Sequence, residues 1–170
     1  MLDVERIIHL LNLRPLPAEG GEYAETYRAD QTIPREALPA RYTGPRRLST
    51  AIYYLLRIET FSAIHRLPTD EIFHHYFGDP VEQLQLHPDG SGEIVLIGSD
   101  LEAGMRPQMV APAGVWQGAR LRAGGSFGFA LMGTTMAPGF DIADYEAGAR
   151  AGLIERYPAF RDLIVALTRD

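Results

Sequence analysis

Between residues 49 and 134 the chain alternates short runs of β-branched and aromatic residues with turns built on Gly and Pro. Runs at 49–59, 61–65, 71–77, 81–87, 93–97, 107–111, 115–121 and 126–134 read as strands. Pro68-Thr69-Asp70, Gly78-Asp79-Pro80 and the Pro88 to Gly92 segment read as the turns between them. Many short strands at close spacing close into a sandwich or a barrel. An earlier strand is expected at Glu22–Arg28, and residues 29–47 read as a loop or an irregular strand covering the surface. Its Arg35, Arg41, Arg46 and Arg47 read as a solvated cluster, with anion binding as the rival. The ends are helical. Residues 3–13 place Val4, Ile7, Ile8 and Leu11 at helical spacing behind a capping Asp3. Residues 144–154, and a helix begun by Pro158, close the chain.

At 170 residues the chain is expected to form one domain with a sizeable core. There is no Cys, which removes disulfides, thiolate metal ligands and a cysteine nucleophile. All 16 basic residues are Arg, so neither Schiff-base chemistry nor a phosphate-gripping Lys is available. A net charge of −6 without a basic stripe gives no sign of nucleic-acid binding. No apolar run reaches membrane-spanning length, and the acidic N-terminus lacks the basic start of a signal peptide. A cytoplasmic protein with neither nucleic-acid nor membrane partners is the expectation. Gly124-Gly125-Ser126-Phe127-Gly128 has G-x-S-x-G spacing, but Ser126 lacks the strand–elbow–helix context of a nucleophile, and no glycine fingerprint opens a helix.

The chemistry concentrates in FSAIHRLPTDEIFHHYFG, residues 61–78, which holds three of the five histidines. Its His65, Glu71 and Gly78 spacing resembles the first motif of the cupin superfamily, His-x-His, a short gap, Glu, six residues, Gly. The second His position is Leu67. The later Pro112-Ala113-Gly114 resembles the Pro-x-Gly of the second motif, with Gln117 at the last His position. More narrowly, the blocks GGEYAETYR, RLSTAIYYLL, HRLPTDEIFHHYFGDPVEQL, PQMVAPAGVWQGARL and TTMAPGFDIADYE resemble those of a small single-domain cupin family of unassigned function. The resemblance implies an all-β double-stranded β-helix, a jelly-roll barrel over about residues 20–140, with short N-terminal and C-terminal helices. It also implies a homodimer with a cavity sized for a small molecule.

Strand alternation puts Glu71, Phe73 and His75 on one face and Ile72, His74 and Tyr76 on the other. With His65 and Glu71 inside, His75 and Phe73 line the interior too. Gln108, Trp116, Gln117 and Tyr54 are further candidate liners. Glu71, costly to bury alone, is expected to meet a His, a ligand, or Arg66 or Arg120. Asp141 is expected to brace the chain as it leaves the barrel. The favoured expectation is a metal-independent cupin holding a sugar- or nucleotide-like ligand, with no cofactor. Its enzymatic form resembles metal-free nucleotide-sugar epimerases, with His65 as base, Glu71 or Asp70 orienting it, and Tyr54 or Tyr76 as acid. A non-catalytic binding module is the first alternative. The second is a metal-dependent isomerase or dioxygenase using His65, Glu71, His75 and Gln117.

Overall fold

The computed structural model describes residues 3–169. Helix α1 (Val4–Leu10) starts on Asp3, whose carboxylate accepts the Arg6 backbone N–H at 2.8 Å. The strands follow in order: β1 (Arg14–Pro15), β2 (Glu22–Arg28), β3 (Thr32–Ile33), β4 (Arg46–Arg47), β5 (Thr50–Arg57), β6 (Phe61–Arg66) and β7 (Glu71–Gly78). Then come β8 (Val81–Leu86), β9 (Gly92–Ile97), β10 (Gln108–Ala111), β11 (Trp116–Leu121), β12 (Phe129–Met136) and β13 (Glu146–Ala147). Helices α2 (Arg150–Arg156) and α3 (Arg161–Ala166) end the chain, joined by a 3-10 turn at Pro158–Phe160.

Two antiparallel sheets face each other as in a jelly roll. The larger is ordered β1-β2-β5-β12-β7-β10 and the smaller β13-β6-β11-β8-β9; β3 and β4 form a separate ribbon. One end of the interior is apolar, packed by Leu56, Phe73, Val81, Ile97, Ala119, Ala130 and Met132. Both outer faces are also covered. Helix α1 sets Ile7 against Leu55 and Phe129 of the larger sheet. Helices α2 and α3 set Leu153 and Ile164 against Ile64, Leu84 and Leu86 of the smaller one. This double cover explains why β5, apolar on both faces, and β8, apolar on one, are each buried on both sides.

Local features refine the simple strand pattern. Strand β12 starts at Phe129 rather than at Ser126, because the buried Asp79 carboxylate gathers the backbone N–H groups of Ser126, Phe127 and Gly128 at 2.7–3.1 Å. Gly78 has φ +102°, and a Cβ there would run into the Phe129 carbonyl oxygen, which accounts for the glycine of the motif. The arginines of residues 29–47 are solvated only in part: Arg41 is exposed and Arg46 is buried. Arg46 is buried in a bidentate ion pair with Asp144, while Arg35, Arg41 and Arg47 donate to backbone carbonyls. Residues 144–154 are helical only from Arg150; Asp144 ends a 3-10 turn that Asp141 caps, accepting the Ala143 N–H at 2.9 Å.

Candidate functional site

A cavity of about 370 Å³ opens at one end of the two sheets. Its inner end carries Glu71, Glu19 and Thr134. Leu16, Ile52, Leu67, Met136, Phe140 and the Tyr145 ring give it apolar walls, and Arg14 and Arg28 stand among its lining. The register sets its width. Glu71, Met136, Thr50 and Arg28 lie in one row across β7, β12, β5 and β2. Three strand spacings of about 4.8 Å separate the Cα atoms of Glu71 and Arg28 by roughly 14 Å.

His65 owes its direction to a β-bulge. Gln117 pairs with His65 and Ala119 with Ser62, so β6 spends three residue steps where β11 spends two. The extra residue lets both Ser62 and His65 face inward. Gly118 makes this fit, since a Cβ there would lie 2.7 Å from Ile64 Cγ1. The buried His65 places Nδ1 2.8 Å from the Ala63 carbonyl oxygen. A carbonyl only accepts, so Nδ1 carries hydrogen and, in the neutral ring, Nε2 keeps the lone pair. Nε2 is buried and has no hydrogen-bond partner among the described residues, and Glu19 Oε2 stands 4.0 Å away, too far for a hydrogen bond. The Tyr145 ring stacks on the imidazole with centroids 5.0 Å apart, and its hydroxyl donates to the Ala18 carbonyl.

Glu19 reaches the site from the turn before β2. Its backbone carbonyl accepts the Ala63 N–H at 2.7 Å, and its carboxylate accepts the Ser62 hydroxyl at 2.7 Å. Burial, then the charge of Glu19, raises the Glu71 carboxyl from its ordinary 4.5 to about 7. The positive charge available on His65 and hydrogen bonds from Thr134 and Gln117 oppose that rise. Burial and Glu19 also push the Tyr145 phenol upward. Tyr54, fully buried, is held well above its usual value by burial and then Glu19, and its hydroxyl donates to the Gly20 carbonyl at 3.0 Å.

Beneath Glu71 runs a chain of buried amides. Gln117 Nε2 donates to Glu71 Oε2 at 2.8 Å, Gln83 Nε2 to Gln117 Oε1 at 3.2 Å, and Gln85 Nε2 to Gln83 Oε1 at 2.8 Å. Gln85 Nε2 also donates to the Val110 carbonyl at 3.0 Å.

Of the residues singled out from the sequence, His65, Glu71 and Gln117 come together. Glu71 meets neither arginine, because Arg66 pairs with Glu146 and Arg120 with Glu82. Asp70 does not orient His65; it accepts the Ala113 N–H. Tyr54 lies in the apolar core beside Phe73, and neither lines the cavity. His75 does share its face with Glu71 by alternation, but it sits four residues along β7 and its Nε2 contacts the Asp79 carbonyl oxygen. Gln108 is exposed on the sheet edge against His74. Trp116 packs under the C-terminal helices with the Arg66 guanidinium over its ring. Tyr76 is exposed and stacks on His74. Leu67 lines both the cavity and an open groove outside it.

Glu19, Gln83, Gln85, Thr134 and Tyr145 were not singled out. The amides did leave a signal: Gln83 and Gln85 alternate with Leu84 and Leu86, a polar face set against an apolar one. Glu19, inside a Pro- and Gly-bounded turn, left none.

Barrels of this fold often carry a metal on three His and one carboxylate, and the donors here do not match. Leu67 and Gln117 stand at two of the four positions, and both polar atoms of Gln117 are engaged. Among the described residues no group of three His, Asp or Glu side chains is placed to hold a metal ion.

Fold and motif positions together define a cupin-type barrel whose metal positions are rebuilt in amide and apolar side chains. A family model described as Cupin superfamily (DUF985) matches residues 5–148, and the chain belongs to that family. A protein from Shewanella oneidensis has a similar structure, with 31% identity, TM-score 0.86 and 99% of each chain covered. A hypothetical protein from Leishmania major gives 28%, 0.87 and 99% of each. Oxalate decarboxylase from Bacillus subtilis is similar at 12% identity and TM-score 0.51, covering 92% of this chain and 37% of its own, a likeness of fold alone. No curated protein matches the chain in sequence.

Proposed function

We propose that this cupin binds a small polar ligand, sugar- or nucleotide-like, and moves a proton on it without a metal. The observation that carries this reading is the Glu19–His65–Glu71 cluster at the inner end of the cavity. Glu71 lines the cavity and exchanges its proton near neutral pH, where a general acid–base group works best. His65 stands behind it with an Nε2 that has no partner among the described residues, a second proton acceptor tied to the backbone through Nδ1. In this reading Glu71 takes a proton from a carbon beside a carbonyl, the freed electron pair moves onto the carbonyl oxygen as an enolate, and Glu71 returns the proton to the carbon. The apolar walls favour a ligand with a ring or chain body between its polar ends.

The test is deuterium uptake from D₂O across a panel of sugars and sugar nucleotides. Wild type is expected to exchange a carbon-bound proton of at least one, with losses of about 10²-fold or more in Glu71→Gln and His65→Ala. Wild type inert across the panel defeats the acid–base reading. Thermal stabilisation by a ligand recovered unchanged would then identify a binding module. The reading includes a cytoplasmic homodimer. Strand β2 is paired by β1 only at Glu22 and Tyr23, which leaves the rest of its edge for a second copy. A monomer in light scattering at micromolar concentration removes that part.

A further inference from the structure

The amides beneath Glu71 are buried in a barrel interior where apolar side chains would cost less. Their direction is fixed from one end. The Val110 carbonyl can only accept, so Gln85 must turn its NH₂ toward it. The same NH₂ then meets Gln83 Oε1, which leaves Gln83 Nε2 for Gln117 Oε1. Gln117 in turn has only its NH₂ left for Glu71 Oε2. Gln85 is held in one of its two flips by the Val110 carbonyl, and Gln83 and Gln117 each by the amide before it. Each sits in the row of the barrel wall set by the β8–β11 register, in which Gln117 faces Gln85 and Ala119 faces Gln83.

We infer that Gln85, Gln83 and Gln117 form a one-way amide relay, clamped at the Val110 carbonyl, that obliges Glu71 to be met by a hydrogen-bond donor. The three are positioning residues. They stand beneath the carboxylate, at and behind a position where metal-binding cupins carry a His, and do not face a ligand. The inference deepens the proposed proton-transfer reading, since it says how the reacting carboxylate is held, but its geometry does not depend on catalysis. Without the clamp, Gln83 and Gln117 can both flip and present a carbonyl oxygen to Glu71, which favours the protonated acid. The titratable groups that also act on Glu71 are Glu19 from the turn before β2, His65 from β6 and Tyr54 from β5. None of them is touched by substitutions at Gln85.

The test is an NMR titration of the ligand-free full chain carrying ¹³C-labelled glutamate and ¹⁵N-labelled glutamine, with Glu71→Gln assigning the Glu71 signal. Gln117→Leu removes the donor and is expected to raise the Glu71 midpoint by about one pH unit. Gln85→Leu, which does not contact Glu71, is expected to raise it by at least half as much. A Gln85→Leu midpoint equal to wild type, beside a shifted Gln117→Leu midpoint, overturns the relay; so does an unshifted midpoint in both. Should Gln85→Leu fail to fold, wild type alone decides. The side-chain ¹⁵N signals of Gln117, Gln83 and Gln85 should follow the Glu71 midpoint with decreasing amplitude, and flat signals at Gln83 and Gln85 overturn the relay. Inertness in the D₂O panel with these signals intact would defeat the catalytic reading and leave the relay standing.

Discussion

On strand β8, Leu84 and Leu86 turn outward under the C-terminal helices, while Gln83 and Gln85 turn into the barrel. The same inversion holds on β6, where Ile64 is outside and His65 inside. An ordinary sandwich keeps its apolar face in and its polar face out. Here α2 and α3 supply a second core on the outside, with Leu153, Tyr157, Ile164 and Leu167. That external core carries stability that the inner face of this sheet gives up near the cavity. The lesson is that polar groups are tolerated inside because the wall holding them is packed from behind.

The largest expected effect breaks the outer face. Leu86 is fully buried beneath the helices, and Leu86→Ala should cost about 2–5 kcal/mol in denaturant unfolding. The Glu71 midpoint should stay in place; a moved midpoint would mean that the two faces are not separable. Next comes the inner face. Glu71 keeps its proton to about pH 7 when folded, against 4.5 ordinarily. Between those values the unfolded chain has released a proton that the folded chain retains, so stability falls as pH rises through this window and levels off above it. The cost at pH 8 is on the order of 3 kcal/mol. Glu71→Gln should match wild type near pH 4 and be the more stable protein at pH 8. Parallel pH curves for the two proteins would sink this account. The smallest effect is expected at the rim, where Arg66 and Glu146 pair with side chains 40% and 53% exposed. Arg66→Gln should change stability by less than about 1 kcal/mol, and a larger loss would place that rim inside the core.

The barrel was legible because its strands are short, β-branched and separated by Gly and Pro turns, and because the two cupin motifs fix their order. His65 and Glu71 were legible as a pair for the same reason. The direction of His65 was not, since a bulge shifts alternation by one residue and only Gly118 on the neighbouring strand makes room for it. Alternation along β7 placed His75 on the right face but not at the right depth, because a face runs the whole length of the barrel. Glu19 was out of reach of any periodicity argument. It comes from a turn that crosses the barrel end, and its position is set by a backbone hydrogen bond to β6 more than forty residues away in sequence.

Leu67 has a consequence in terms of traffic. Its side chain lines both the inner chamber and the groove outside, so the two spaces share a wall there. Leu67→Ala thins that shared wall and is expected to open a second way between the two spaces. Solutes would then come and go by two doors, and the first quantity to change would be how long a guest stays.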